Sequence, residues 1–374
     1  MVATHVAYPM HKETSQDLTM LGTEFLTWFF MNGWVGVHLF FVLSGFLITG
    51  QLLKVGRLPR EKQGEGIKDY LKRRFCRIIP IYYVMLTIAL YVRIKLDPPD
   101  SWLWVTQEYL RHIFFLNDYY VSWIKLLFWS LAVEAKFYLV APIIVLALLK
   151  LSPKNIGLSL LVLMAGLLLI KIWTFHHLPL PINQFSYFTQ IRSPFHMALD
   201  SLIMGVICQF IWSSAKGRAW LSQPLCANLL FFTGSALFIA LTAFTKPYFY
   251  FETARISLTL FYCTYYFTAM SLAFGMMLLG LMGRSYGYKI FENIIFKGIA
   301  LISYSLYLVH TSVITYMGQK AEIILGSATP GFSLWLLTFM LTLLVSIPLS
   351  ATLYYFIEKP FIDWSKRKRS AITP

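Results

Sequence analysis

Long apolar runs separated by short polar links occupy nearly the whole chain. A membrane-spanning helix needs about 20 predominantly apolar residues. Nine runs meet that length, at roughly 33–53, 78–96, 128–149, 156–173, 195–213, 228–244, 257–281, 294–317 and 333–357. The pattern predicts an all-α, polytopic transmembrane helical bundle. We expect residues 1–374 to form a single integral-membrane domain with no appended soluble domain.

Composition supports a membrane protein. The 374 residues are 57% hydrophobic and 13% charged, whereas soluble domains carry about 25% charged residues. A net charge of +15 would suggest a nucleic-acid partner in a soluble protein. Here the positive charge lies between apolar runs, so we expect it to set topology and to contact membrane lipids. The four cysteines have no metal-like spacing, and neither a metal site nor a disulfide framework is predicted.

Basic residues concentrate in alternate links. The link 54–77 holds nine Lys and Arg against three acidic residues, and 359–369 holds five against one. If the nine spans alternate, all the basic links lie on one side, which the positive-inside rule makes the cytoplasm. We therefore expect a multi-pass protein of the bacterial inner (cytoplasmic) membrane with a cytoplasmic C-terminus.

The same alternation puts residues 1–32 outside, with no span to carry them there. Residues 1–9, MVATHVAYP, are typical of the outer end of a helix. We therefore expect a truncated N-terminal span, which would make the nine visible spans part of a ten-helix bundle.

Among the ionisable residues inside the apolar runs, four are singled out: His38, Glu134, Asp200 and His310. Such groups are costly at membrane depth unless they are paired, so each is a candidate functional residue. His5 lies at the end of the expected N-terminal span. The alternation places all five in the outer half of the membrane, which predicts a polar site that opens toward the outside.

A histidine beside a carboxylate has the chemistry for acyl transfer. A neutral imidazole takes the proton that an attacking hydroxyl loses, and the carboxylate orients the ring. The alternative for His38 and His310 is a structural hydrogen bond between helices. For Asp200 the alternative is a structural pairing with Arg192 or His196.

Glu134 is harder to explain structurally, because an unpaired carboxylate beside Trp129 and Phe137 would be unstable. It therefore needs a partner or a catalytic role. The basic run 72–77 is either a topology anchor or a site for the phosphates of an anionic donor, which arginine suits. Three further histidines, His112, His176 and His177, are expected to be solvated or interfacial.

Five motifs follow one another along the chain: GWVGVHLFFVLSGFLI, KRRFCRIIPIYY, FWSLAVEAKFYL, SYSLYLVH and FIEKP. Together they resemble the motifs of the membrane acyltransferase-3 family. His38 stands where that family usually has Asp, and Arg74 and Arg77 match its basic motif. Glu134 matches the first of two family glutamates, and Ala135 replaces the second.

The resemblance implies a ten-span O-acyltransferase and assigns roles to individual residues. THVAYP is similar to the family's catalytic-histidine region, so His5 would be the base and Glu134 would support it. Arg74 and Arg77 would hold the acyl-CoA donor near the cytoplasm. An arginine that the family carries about ten residues before the histidine is absent from this chain.

By that resemblance, the chain would move an acyl group, most simply acetyl, from acetyl-CoA to a hydroxyl of an extracytoplasmic glycan or glycolipid. Lipopolysaccharide O-antigen and exopolysaccharide are the expected acceptors, and no permanently bound cofactor or nucleic acid is implied. The alternative function is a transporter or flippase of a glycolipid intermediate. That protein would use the same polar cavity without an acyl donor.

Overall fold

The computed structural model describes residues 33–180, 182–243, 259–325 and 331–367. This part of the chain is 87% helical and contains no strand. Its α-helices of six or more residues are α1 (Gly36–Gly56), α2 (Arg60–Leu96), α3 (Trp102–Ile113), α4 (Trp129–Leu148), α5 (Pro153–His177), α6 (Phe195–Ser213), α7 (Ala215–Leu221), α8 (Pro224–Ala243), α9 (Tyr266–Met282), α10 (Tyr286–Phe291), α11 (Ile294–Leu325), α12 (Gly331–Leu353) and α13 (Lys359–Lys366). Single helical turns and short π-helical segments cover Gly33–Val35, Leu126–Phe128, Gln184–Ser186, Tyr187–Arg192, Phe261–Tyr265 and Tyr354–Glu358.

Nine helical segments in the described ranges are long and apolar enough to cross a membrane. They coincide with the nine predicted spans, so the predicted all-α polytopic bundle is confirmed. The chain is thus a multi-pass integral membrane protein.

The basic link before the second span is helical, which the apolar pattern did not indicate. Helix α2 begins at Arg60 and runs for 37 residues, so the charged stretch and the apolar stretch form one rod. Lys, Arg and Glu are good helix formers, and the ion pair between Asp69 and Arg73 spans one helical turn. The sequence therefore favours helix here through propensity rather than through apolar periodicity.

Helix α1 lies at the centre of the bundle and packs most closely on α6. A Cβ atom on Gly45 would lie 2.0 Å from the Leu202 carbonyl oxygen, and one on Gly205 would lie 2.1 Å from that of Val42. The two backbones therefore touch, as small residues permit in membrane bundles. Any larger residue at Gly45 would push the helices apart.

Two clusters of buried apolar side chains meet at α1. Phe41 and Ile48 belong to a cluster with residues of α2, α4, α6 and α11, whereas Val42 and Phe46 belong to a cluster with residues of α6 and α9. The two clusters share α6, but only the first includes α2, α4 and α11, so polar residues on the two faces of α1 enter different surroundings.

Candidate functional site

A cavity of about 580 Å³ lies where α1, α2 and α13 meet. We call the end of the bundle that contains this cavity the basic end. The cations lining the cavity are Lys54, Arg73, Arg74, Arg77 and Lys366. Asp69 also lines it and is paired with Arg73. A cavity with this surplus of guanidinium and ammonium groups suits phosphate oxygens.

The two arginines predicted to bind the donor differ in their surroundings. Arg74 is buried at the inner wall, and its Nε and one terminal nitrogen have no hydrogen-bond partner among the described residues. Arg77 is exposed and lines the same cavity. Buried donors without acceptors are unfavourable, so an anionic ligand at this wall would stabilise Arg74.

Behind this wall Glu134 is buried in α4 and accepts two hydrogen bonds on one oxygen. The hydroxyls of Ser44 and Tyr138 donate to its Oε1 at 2.9 and 2.7 Å. Its Oε2 has no partner among the described residues. The Arg74 guanidinium lies 5.7 Å from the centre of the Tyr138 ring. A continuous set of polar contacts therefore runs from the cavity through Tyr138 and Glu134 to Ser44.

A second buried carboxylate, Glu358, lies near this network. Ser305 donates a hydrogen bond to it, and Arg77 is within electrostatic range of both Glu358 and Glu134. Glu358 was not among the predicted site residues. The signal that could have found it is the motif FIEKP, whose glutamate enters the bundle through the π-helical segment Tyr354–Glu358.

His38 belongs to a separate hydrogen-bond network. Its Nδ1 lies 2.8 Å from Ser201 Oγ, which lies 2.6 Å from Ser271 Oγ, and Ser271 donates to the Phe267 carbonyl at 2.7 Å. The Ser201 hydroxyl also donates to Asp200 Oδ1 at 3.5 Å. The other ring nitrogen of His38, Nε2, has no partner in the described part of the chain.

Asp200 lies beside this network in an ion pair with Lys171 of α5. Lys171 Nζ donates to its Oδ2 at 2.5 Å, and both side chains are buried. Thr268 donates to the same oxygen at 2.7 Å. The expectation that Asp200 pairs with Arg192 or His196 is therefore wrong. The signal missed in the sequence is the lone lysine inside the apolar run LLLIKIW.

His310 lies near the end of the bundle opposite the cavity, and its Nδ1 contacts the Tyr307 carbonyl one turn back on α11 at 2.7 Å. Close by, Lys125 Nζ donates to the Leu308 carbonyl at 2.9 Å and to Ser312 Oγ at 2.8 Å. This hydrogen bond lies within α11, whereas the structural alternative named for His310 was a hydrogen bond between helices. His5 lies outside the described residues.

Among the described residues, the polar side chains predicted to form one site therefore form two separate groups. Glu134 is grouped with Arg74 and Arg77, and His38 with Asp200, and no hydrogen bond among the described residues joins the two groups. The physical reason is helical geometry. His38 and Ser44 are six residues apart on α1, so they point about 120° apart around the axis.

One of the three loop histidines differs from expectation. His112 is fully buried, because the amphipathic helix α3 packs against α2 and Phe128. Its Nε2 lies 2.8 Å from Ser122 Oγ, and burial lowers its pKa below the ordinary value. The expectation that it is solvated is therefore wrong, whereas His176 and His177 are exposed as expected.

Comparison with known proteins identifies similar chains. A family model described as an acyltransferase domain matches residues 1–353. The chain is 30% identical over 319 residues to the peptidoglycan O-acetyltransferase OatA of Listeria monocytogenes, a match that covers 78% of this chain and 46% of the relative. It is 26% identical over 231 residues to the O-acetyltransferase OatA of Staphylococcus aureus, covering 57% of this chain and 36% of the relative.

A putative O-acetyltransferase of Staphylococcus aureus is 25% identical over 348 residues, covering 88% of this chain and 53% of the relative. The matched part thus spans 36% to 53% of the length of these three curated relatives. No solved structure matches the chain significantly.

Proposed function

The chain belongs to the acyltransferase family whose model covers residues 1–353, the family its motifs indicated, and on that premise we propose that it is a membrane O-acyltransferase. It transfers an acyl group, most simply acetyl, from acyl-CoA to a hydroxyl of a glycan on the other side of the membrane. The named relatives support an acetyl group, because three of them are called O-acetyltransferases.

The observation that carries the proposal is the basic cavity with Glu134 directly behind it. An acyl-CoA donor is strongly anionic, and Arg74 and Arg77 supply cations that suit its phosphates. The contacts of Arg74 with Tyr138, and of Tyr138 with Glu134, lead from this cavity toward the carboxylate. A flippase of a glycolipid intermediate would need no acyl donor, so dependence on acyl-CoA separates the two functions.

The chemistry follows from what acyl transfer requires. The acceptor hydroxyl attacks the acyl carbonyl and loses its proton to a base, a role that the family resemblance gives to His5. Glu134 assists from the cavity side. His38, whose Nε2 has no partner in the described ranges, is a further candidate for proton transfer. No metal is needed for any of these steps.

The orientation follows from charge. Because basic links lie on the cytoplasmic side of membrane proteins, the basic end faces the cytoplasm, where acyl-CoA is found. The C-terminus is then cytoplasmic, and the membrane is the bacterial inner membrane. The acceptor is a surface glycan on the far side. Peptidoglycan is the acceptor to test first because the Listeria relative is named for it, followed by lipopolysaccharide O-antigen and exopolysaccharide.

The test uses the full chain in proteoliposomes loaded with glycan fragments and given labelled acetyl-CoA outside. We expect label on the glycan with the wild type, and its loss when Arg74 and Arg77 are both changed to alanine. Lys154→Ala is the matched control, because it removes an exposed cation that does not line the cavity. No label on any glycan with any acyl-CoA would contradict the proposal and favour the transporter.

A further inference from the structure

Two adjacent residues of α1 have separate surroundings. Gly45 contacts the α6 backbone, since a Cβ on it would lie 2.0 Å from the Leu202 carbonyl oxygen. Ser44 instead faces α4 and donates to Glu134. Of the two residues, Gly45 alone therefore explains the close packing of α1 on α6. The Ser44 hydroxyl has a different partner and needs a different explanation.

The contact between Ser44 and Glu134 has the geometry of an activated nucleophile. The hydroxyl lies 2.9 Å from the carboxylate oxygen, within the range expected for a nucleophile and its base. The Tyr138 hydroxyl holds the same oxygen from the other side at 2.7 Å. The remaining oxygen, Oε2, has no partner in the described ranges and is free to hold a proton.

Ser44 also lies in line with the basic cavity. Gln51 lines the cavity and is seven residues further along α1, two helical turns, so it shares a face with Ser44. The distance along the axis is about 10 Å. A thioester that extends from the cavity along this face of α1 meets Ser44 beside its carboxylate partner.

We propose that Ser44 carries the acyl group as an ester between donor and acceptor. This rests on the proposed function. Ser44 Oγ attacks the thioester carbonyl carbon, its proton passes to Glu134, and the C–S bond breaks. The CoA thiolate leaves with the sulfur electron pair and takes the proton from Glu134, so free CoA and acyl-Ser44 result.

The second step returns the enzyme to its starting state. The glycan hydroxyl attacks the ester carbonyl and gives its proton to a base, the Ser44 C–O ester bond breaks, and Ser44 Oγ recovers a proton. The sum is acyl-CoA plus glycan hydroxyl giving acyl-glycan plus CoA. A carrier between the two ends explains how a cytoplasmic donor serves an acceptor on the far side.

The test gives purified full-length protein labelled acetyl-CoA in the absence of any acceptor. We expect one acetyl group per chain on the peptide that contains Ser44, released by hydroxylamine as an ester is. Ser44→Ala lacks the label and loses transfer by at least about 100-fold. Ser44→Cys keeps labelling as a thioester. Glu134→Gln keeps the hydrogen bond from Ser44 but cannot take its proton, so it loses the label.

Thr49→Val is the matched control. Thr49 is buried on the same helix, its hydroxyl has no hydrogen-bond partner among the described residues, and valine has the same shape. This variant should be labelled like the wild type.

Transfer to the glycan by wild type without label on Ser44 would overturn the carrier and leave the proposed function standing, whether or not Ser44→Ala is active. Neither transfer nor label in the wild type would overturn both. Label on Ser44 that is passed to glycan on its addition supports both.

Discussion

Two buried carboxylates, Glu134 and Asp200, lie in the same bundle but differ in their ion pairs and hydrogen bonds. Asp200 is neutralised directly by Lys171 and also accepts from Thr268 and from a backbone N–H. Glu134 accepts only from hydroxyls, leaves one oxygen without a partner in the described ranges, and has its cations across the wall of a cavity. A saturated ion pair holds helices together, whereas an undersatisfied carboxylate beside a cavity is available for chemistry.

The two sites also differ in what they connect. The Lys171–Asp200 pair, with Thr268, ties α5, α6 and α9 together in the membrane-spanning part of the bundle. The Glu134 network links α1 and α4 and continues toward the cavity at Arg74. On the proposed function, the comparison predicts that Asp200 contributes mainly to stability and Glu134 mainly to catalysis, and substitutions at the two sites should separate these properties.

The largest effect is expected for Glu134→Gln. The glutamine oxygen still accepts from Ser44 and Tyr138, so folding is retained, but the side chain no longer takes up a proton. Acyl transfer should fall by about 10²- to 10⁴-fold, the usual range for a lost acid-base group. Transfer rate and thermal melting of the purified protein measure the two properties. A variant with more than a tenth of the wild-type rate would show that Glu134 is structural.

Lys171→Met should have the largest effect on stability. It leaves Asp200 buried without its cation, a change that costs about 3–5 kcal/mol in comparable pairs. Adding Asp200→Asn removes the charge, so the double variant should recover most of that loss. Unfolding titrations in mixed micelles give both values. Equal stability of the single variant and wild type would contradict the assignment.

Arg74→Ala and Arg77→Ala should act on donor binding. A hydrogen bond to a charged group contributes about 1.5–3 kcal/mol, so KM for acetyl-CoA should rise on the order of tenfold or more with little change in stability. Lys154→Ala serves as the control on the same measurements. If KM stays unchanged and kcat falls instead, the cavity does not hold the donor.

The smallest expected effect is on the pH dependence of stability, and it involves Lys125. Unlike Lys171, Lys125 has no carboxylate within ion-pair distance in the described part of the chain. Burial alone lowers its pKa to about 8. The unfolded chain holds this proton up to about pH 10.4, so stability should rise as pH increases from 8 toward that value. Melting temperature against pH checks this, and Lys125→Met should flatten the rise. An unchanged slope would mean that Lys125 is not the titrating group.

The fold was largely predictable, because nine long apolar runs leave one architecture open to a membrane chain. What the apolar pattern could not give is the extension of α2 back to Arg60, since that part depends on helix propensity and ion pairs such as Asp69–Arg73. The burial of His112 was also missed, because a short amphipathic helix gives no sign of which surface covers it.

For the candidate site, the sequence indicated candidate residues but not their contacts. Glu134, Asp200 and His38 were identified because ionisable groups in apolar runs are rare. Their separation into two networks depends on which helices face each side of α1, and spacing along the sequence does not specify this. Lys171, like Asp200, is an ionisable residue inside an apolar run, and it could have been identified on that ground.

The most direct measurement is transfer of labelled acetyl from acetyl-CoA to peptidoglycan fragments enclosed in proteoliposomes, with wild type, Glu134→Gln and the Lys171→Met/Asp200→Asn double variant side by side. We predict transfer by the wild type, loss with Glu134→Gln at unchanged melting temperature, and retained transfer with the double variant. Full transfer by Glu134→Gln, together with loss in the double variant, would contradict the account by exchanging the roles of the two carboxylates.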